Sequence, residues 1–307
     1  MLTRYSIDSS RAMRSTARTT LPLQSSYRYL LVTPALARTL LKCYDYPHPL
    51  TPHTMIRGYD KAHAFRTAKM CAVVAQHLSY DQSRVRQFQI ACLLHDLGRA
   101  GLDRQLFGKI WSWARNNNIP TRPAEWRLRH PRTSYGRETE AFVKAYRQAL
   151  AEDGVPLTKW ACEQIEMRLG FARRHRRQLK RVKPVLESLN IRWLPWMEQV
   201  TLYYYYPEKL ARSPVWVREL GEILVACEQL EAYSNRRRGT DYYARSKESF
   251  REAFRYLDSL KRQGRLRATV VKAVRQMTAS GIFDSILKAA RGRILSRHDQ
   301  QFLRSLK

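Results

Sequence analysis

An imidazole and a carboxylate stand side by side at His95-Asp96, after the apolar run Ala91-Cys92-Leu93-Leu94 and just before Gly98. Burying such a pair without a partner is costly. A divalent cation suits it, because neutral imidazole nitrogen and carboxylate oxygen are both ligands for Zn, Fe, Mn or Ni, and the cation offsets the buried negative charge. Two ligands do not complete a site. His63 offers a third, within Lys61-Ala62-His63-Ala64-Phe65-Arg66, whose small residues let one helix approach another closely. By themselves, His95-Asp96 also reads as a pair at a helix end and His63 as a satisfied core histidine.

The elements that must carry these residues are helices. From Tyr59 onward Ala64, Ala68, Cys71, Ala72, Ala75 and Leu78 recur at three and four, the period of a buried helix face. A second helix is expected over 83–97, ending at Gly98, with others near 103–117, 136–152, 158–189, 214–234, 243–262 and 266–278. Pro120, Pro123 and Pro131 break the chain between the third and fourth, and Pro207 and Pro214 bracket the approach to the helix holding Cys227. No strand alternation and no internal repeat is visible, so the fold class expected is all-α, a multi-helix bundle.

His63, His95 and Asp96 together resemble the HD superfamily of metal-dependent phosphohydrolases, whose pattern is H, then HD, then a distant D, on an all-helical fold. The likeness extends toward the HD-GYP branch: Leu94-His95-Asp96-Leu97-Gly98-Arg99 is similar to LHDIGK, and Trp126, His130-Pro131 and Gly136 are similar to an HPxxG element. Glu222 to Ala232 is similar to the ILAVADxxDA helix, and Ser246-Lys247-Glu248-Ser249-Phe250 falls where the last helices begin, so the resemblance covers about 59–280. It implies His63, His95, Asp96 and Glu228 as ligands of one ion, Glu228 standing in place of an aspartate, and His130 as a ligand of a second ion. Glu231 competes with Glu228, since residues three apart share a helix face. Arg99 replaces a lysine and, with Arg66, is expected to hold phosphate.

The signature HHExxDGxGYP has no intact counterpart. Its nearest remnant is Leu202-Tyr203-Tyr204-Tyr205-Tyr206-Pro207, with phenols, poor ligands for divalent metals, where histidines belong. The expected centre therefore holds one ion of Mn, Fe, Ni, Zn or Mg.

Lys and Arg number 56 against 26 Asp and Glu, a net charge of +30 on a chain of 307 residues with an ordinary apolar fraction of 44%. Such a field attracts phosphates of a nucleotide, a nucleic acid, an acidic protein or a membrane surface. Arg168 to Lys183 holds eight cations and no acid, while Ile165, Leu169, Ala172, Leu179 and Val182 form an apolar stripe. This basic amphipathic helix looks like an insertion, at about 157–195, into the HD-like domain of 55–285. Its cations, Arg173 and Arg177 among them, are expected to recruit a polyanion, the bland alternative being a solvated face. Arg236-Arg237-Arg238 and a basic C-terminal helix over 286–307 extend the field, and Trp193, Trp196 and the tyrosines either stack bases or fill the core.

Residues 1–54 are Ser-, Thr- and Arg-rich with only Asp8 and Asp45 as acids, and read as a weakly ordered basic arm. A transit peptide, a phosphate-facing arm or a start codon placed too early would each give that composition. Five cysteines without a CxxC pair read as reduced core thiols, and with no secretory signal or apolar run of about 18 residues the chain is expected in the cytoplasm. The activity implied is hydrolysis of a phosphodiester or phosphomonoester in a nucleotide or nucleic acid by metal-bound hydroxide, with Asp96 and Arg99 catalytic. The alternative is an inactive HD-like module that binds nucleic acid or an acidic partner through its basic surface. A homodimer is compatible with either.

Overall fold

The computed structural model describes residues 29–49, 51, 53–235, 249–292 and 294–306. Among them are fourteen α-helices and one two-stranded sheet, an all-α fold. In chain order the helices are α1 (Pro34–Lys42), α2 (Lys61–His77), α3 (Gln82–Leu93), α4 (Arg104–Asn116), α5 (Pro123–Arg129), α6 (Glu138–Glu152) and α7 (Lys159–Leu169). Then come α8 (Phe171–Ser188), α9 (Pro195–Leu202), α10 (Val215–Ser234), α11 (Phe250–Arg262), α12 (Ala268–Ala279), α13 (Asp284–Arg291) and α14 (Arg297–Arg304). Strands β1 (Tyr46–Pro47) and β2 (Met55–Ile56) pair antiparallel.

Helix α2 packs on α3 and on α10, and these three form the centre. Nearly every residue of α2 from Thr67 to Ala75 and of α10 from Leu220 to Glu231 is buried. Alanine and cysteine at the contact faces of α2 permit that close approach. Helices α11 to α14 complete the same core. A second core around Phe107, Trp111, Trp126 and Phe142 joins α4 to α7. No helix among the described residues is long and apolar enough to cross a membrane.

Three expectations need correction. The arm is not loose where it is described: Thr33 caps α1 by accepting from the Leu36 amide, and Ala37, Leu40, Cys43 and Tyr44 are buried. Only 1–28, with Leu50 and Pro52, lie outside the described residues, as do Arg236-Arg237-Arg238, Ser246-Lys247-Glu248 and the start of the helix expected over 243–262. The helix expected over 158–189 is two, broken at Gly170, where a Cβ would come within 2.6 Å of Glu166 Cγ and 2.7 Å of Thr139 Oγ1. The C-terminal helix is also two, since Gly292 ends α13 in the left-handed conformation with φ 66°. The stretch read as an insertion packs into this fold, since α8 buries Phe171, Arg174, His175, Gln178, Leu179, Val182 and Leu186.

Candidate metal centre

His63 lies in the first turn of α2, and His95 and Asp96 lie in the turn after α3, which stops at Leu93 rather than running on to Gly98. Glu228 comes from the middle of α10. One ligand atom from each of these four lies within 4.8 Å of every other, and all four residues are buried. Asp96 Oδ2 is 3.7 Å from His63 Nε2 and 3.8 Å from His95 Nε2.

The two imidazoles are aimed by hydrogen bonds on their far sides. His95 Nδ1 donates to the Cys92 carbonyl at 2.7 Å, which leaves Nε2 as the lone-pair nitrogen. That Nε2 is buried and has no hydrogen-bond partner. Burial lowers the His95 pKa, with Asp96 opposing, so the ring is held in the neutral form that a metal needs. His63 Nδ1 donates to Glu231, turning its Nε2 toward the cluster. The donor set, two imidazole nitrogens and two carboxylates around a bare buried nitrogen, fits a divalent cation.

The ambiguity between the two glutamates is thereby settled. Glu228 faces the cluster, whereas Glu231 stands behind His63 and also accepts from Arg66 Nε at 2.7 Å. Arg66 is accordingly tied to this carboxylate. Supporting carboxylates of this kind fix ring orientation and raise ligand basicity. Glu231→Gln is expected to weaken Mn binding by about 10- to 100-fold with the fold intact. A Mn titration of the purified variant checks it, and unchanged affinity would deny Glu231 this role.

Arg99, in the short helical turn Leu97–Arg99, lies beside the cluster and is buried. Its Nε is 3.6 Å from Asp96 Oδ1, its Nη1 is 4.0 Å from Asp60 Oδ2, and its Nη2 donates to Tyr205 Oη at 3.2 Å. Tyr205 in turn stacks on Phe171 with ring centroids 4.2 Å apart. Burial pushes the Tyr205 phenol up to about 12, although Arg99 opposes the shift. The other tyrosines of this run serve packing: Tyr203 donates to the Arg265 carbonyl, Tyr204 meets Tyr256, and Tyr206 packs on Tyr135.

His130 is not brought to the centre. It ends α5 with its ring stacked 4.1 Å from that of Trp126, and the four-residue cluster is the one metal-capable group among the described residues. Arg173 and Arg177 lie away from the cluster, on the surface of α8. Both pair with Glu166, and Arg173 also with Glu140. Seven of the eight cations from Arg168 to Lys183 contact a carboxylate or a carbonyl: besides these two, Arg168 with the Thr121 carbonyl, Arg174 with Glu163, Arg176 with Glu198, Arg181 with the Asp45 carbonyl and Lys183 with Glu187. The acids that compensate the block all lie outside it, Glu163, Glu166 and Glu187 just beyond its ends and Glu140 and Glu198 farther away, which is why it reads as uncompensated. Trp193 lies beside His175, and Trp196 packs edge-on against Trp216.

Three supports of the His95-Asp96 turn are not among the residues that the sequence reading singles out for the site. Tyr44, from the supposed arm, donates to the Leu93 carbonyl at 3.0 Å and accepts from the Asp96 amide at 3.2 Å. Arg174, fully buried, donates to the Gly98 and Ala100 carbonyls, each at 2.9 Å. His175 Nε2 donates to the Leu94 carbonyl at 3.1 Å. Gly98 itself is required, because a Cβ there would lie 2.7 Å from the Phe171 ring. One signal was available: Phe171, His175, Gln178, Val182 and Leu186 follow the helical period, which puts His175 on the buried stripe of a helix that otherwise reads as basic.

Burial lowers the His175 pKa to about 4. Its folded value is below the unfolded one, so the unfolded state binds the extra proton between roughly pH 6.5 and 4. Stability is full above that window and falls as the pH drops through it, by up to about 3 kcal/mol. His175→Gln, which keeps a donor for the Leu94 carbonyl, is expected to flatten this dependence in urea unfolding at pH 7 and pH 5. An equal loss in both proteins would contradict it.

Compared with protein-family models, with curated proteins and with solved structures, the chain matches none.

Proposed function

We propose that this chain is an HD-type, metal-dependent phosphohydrolase acting on a phosphate ester of a nucleotide or nucleic acid. The observation that carries the reading is the convergence of His63, His95, Asp96 and Glu228 from three separate stretches of chain, with His95 Nε2 bare and buried. These four residues would hold a single divalent ion of Mn, Fe, Ni, Zn or Mg, which when bound supplies Lewis-acid polarisation of phosphate and activation of water. The chain's own contribution is orientation. Glu231 and the Cys92 carbonyl aim the two imidazoles, and Asp96 uses its other oxygen to hold Arg99 in place. Arg99, steadied by Tyr205, lies beside the cluster and would bind a phosphoryl oxygen where negative charge grows during hydrolysis. Tyrosines at 203–206 occupy the segment where the resembling branch carries histidines, so the reading stops at nucleotide phosphate esters in general. The five cysteines are free, in keeping with a reducing compartment such as the cytoplasm.

The test is turnover of p-nitrophenyl phosphate, bis(p-nitrophenyl) phosphate and a nucleotide panel with added Mn. Hydrolysis that chelation removes and Mn restores supports the reading, and its absence overturns it. A second reading is favoured by the net charge of +30, which exceeds what a small substrate requires. It is an inactive module that docks on nucleic acid or an acidic protein, and steeply salt-dependent retention on nucleic acid without turnover would select it.

A further inference from the structure

A cavity of about 460 Å³ opens beside the cluster and shares His63 with it. Arg57, Gly58, Asp60 and Ala62 line one side and Arg66 the next, while Asn235 and the end of α13 through Arg291 close the other. Three guanidiniums, two from the start of α2 and the stretch before it and one from α13, therefore line one concavity, against one carboxylate in its lining.

Their surroundings differ. Arg291 is buried, its guanidinium lying over the Phe250 ring at 4.4 Å and 3.9 Å from Asp299 Oδ1. Arg66 is balanced by Glu231 behind the wall. Arg57 is exposed and forms no ion pair among the described residues. The start of α2 adds a partial positive charge from its first amides. The end of α13 adds a partial negative charge, and Asp60 adds an acceptor carboxylate to the lining. The cavity thus offers cations for a phosphate and acceptors for hydroxyl or amino groups. That mixture suits a phosphorylated nucleoside better than a bare anion. Its volume is that of a small-molecule pocket.

We infer that this cavity is the subsite for a mononucleotide-sized phosphorylated ligand, held by Arg57, Arg66 and Arg291 with its other end toward His63. The inference rests on the proposed phosphohydrolase reading for the ligand's role as substrate, and it favours a small nucleotide over a polynucleotide.

The test is isothermal titration of the full chain in EDTA with AMP, GMP, CMP and UMP, and with a 12-residue oligouridylate. At least one mononucleotide is expected to bind with one-to-one stoichiometry. Arg57→Gln should weaken it about tenfold, the loss of one charge-assisted hydrogen bond. Ala62→Glu, at an exposed lining position, should remove binding by putting a carboxylate into the cavity. Both variants should keep the wild-type metal content, which shows that they fold. No saturable binding of any mononucleotide, affinity indifferent to both substitutions, or far tighter binding of the oligouridylate sensitive to the same substitutions would overturn the inference. Nucleotide binding in a wild-type protein that holds no metal would instead sink the hydrolase reading and leave the subsite standing.

Discussion

Asp96→Asn is expected to reduce kcat/KM for phosphate-ester hydrolysis by on the order of a thousandfold, or about 4 kcal/mol of transition-state stabilisation. Asparagine nearly preserves the shape of the side chain but removes the charge of the carboxylate whose Oδ2 faces both histidine nitrogens. The variant also separates loss of the centre from loss of the fold. Without an ion, Asp96 and Glu228 are two buried carboxylates with ligand atoms within 4.8 Å, and neutralising one relieves their repulsion. The melting temperature of Asp96→Asn in EDTA should therefore be no lower than that of the wild type. Added Mn should raise the wild-type Tm and leave the variant's unchanged, because a ligand stabilises only a fold that binds it. Activity that survives the substitution, or equal stabilisation of both proteins by Mn, would contradict this account.

The second large effect is structural and lies at a residue that touches no ligand. Arg174→Leu is expected to destabilise the protein by about 3–5 kcal/mol, as when one partner of a buried charge pair is removed. The fully buried guanidinium holds Gly98 and Ala100 by their carbonyls and Glu163 by its carboxylate. Leucine fills part of the volume but leaves two carbonyls without donors. Lysine keeps the charge yet cannot span three acceptors in the same geometry, so Arg174→Lys should fall between the two. Urea unfolding of the three proteins measures the order. A loss below about 1 kcal/mol for leucine, the level of an ordinary surface change, would deny α8 its part in holding the His95-Asp96 turn.

The helical class was legible, and so was the candidacy of His63, His95 and Asp96, which the structure brings together, because each has a local signature. Spacing of three and four marks α2, and the His95-Asp96 pair before Gly98 marks a turn at a helix end. What could not be read was whatever depends on contacts between distant residues. Glu228 and Glu231 share a helix face, and only the position of His63 against α10 assigns one to the cluster and the other to the imidazole behind it. The arm reads as loose because its few apolar residues form no long pattern, yet Tyr44 is buried with both ends of the turn bonded to its hydroxyl. The basic block misleads by composition. Its acids, Glu140, Glu163 and Glu198, come from outside it, and Glu166 from just before it.

Elemental analysis of the full-length protein, purified without added metal and compared with His95→Ala prepared in parallel, tests the central claim most directly. About one equivalent of a single transition metal per wild-type chain, and almost none in the variant, is the predicted result. A wild-type chain that carries no metal and takes none up from Mn, Fe, Ni, Zn or Mg solutions, or a variant that retains the wild-type amount, would contradict it.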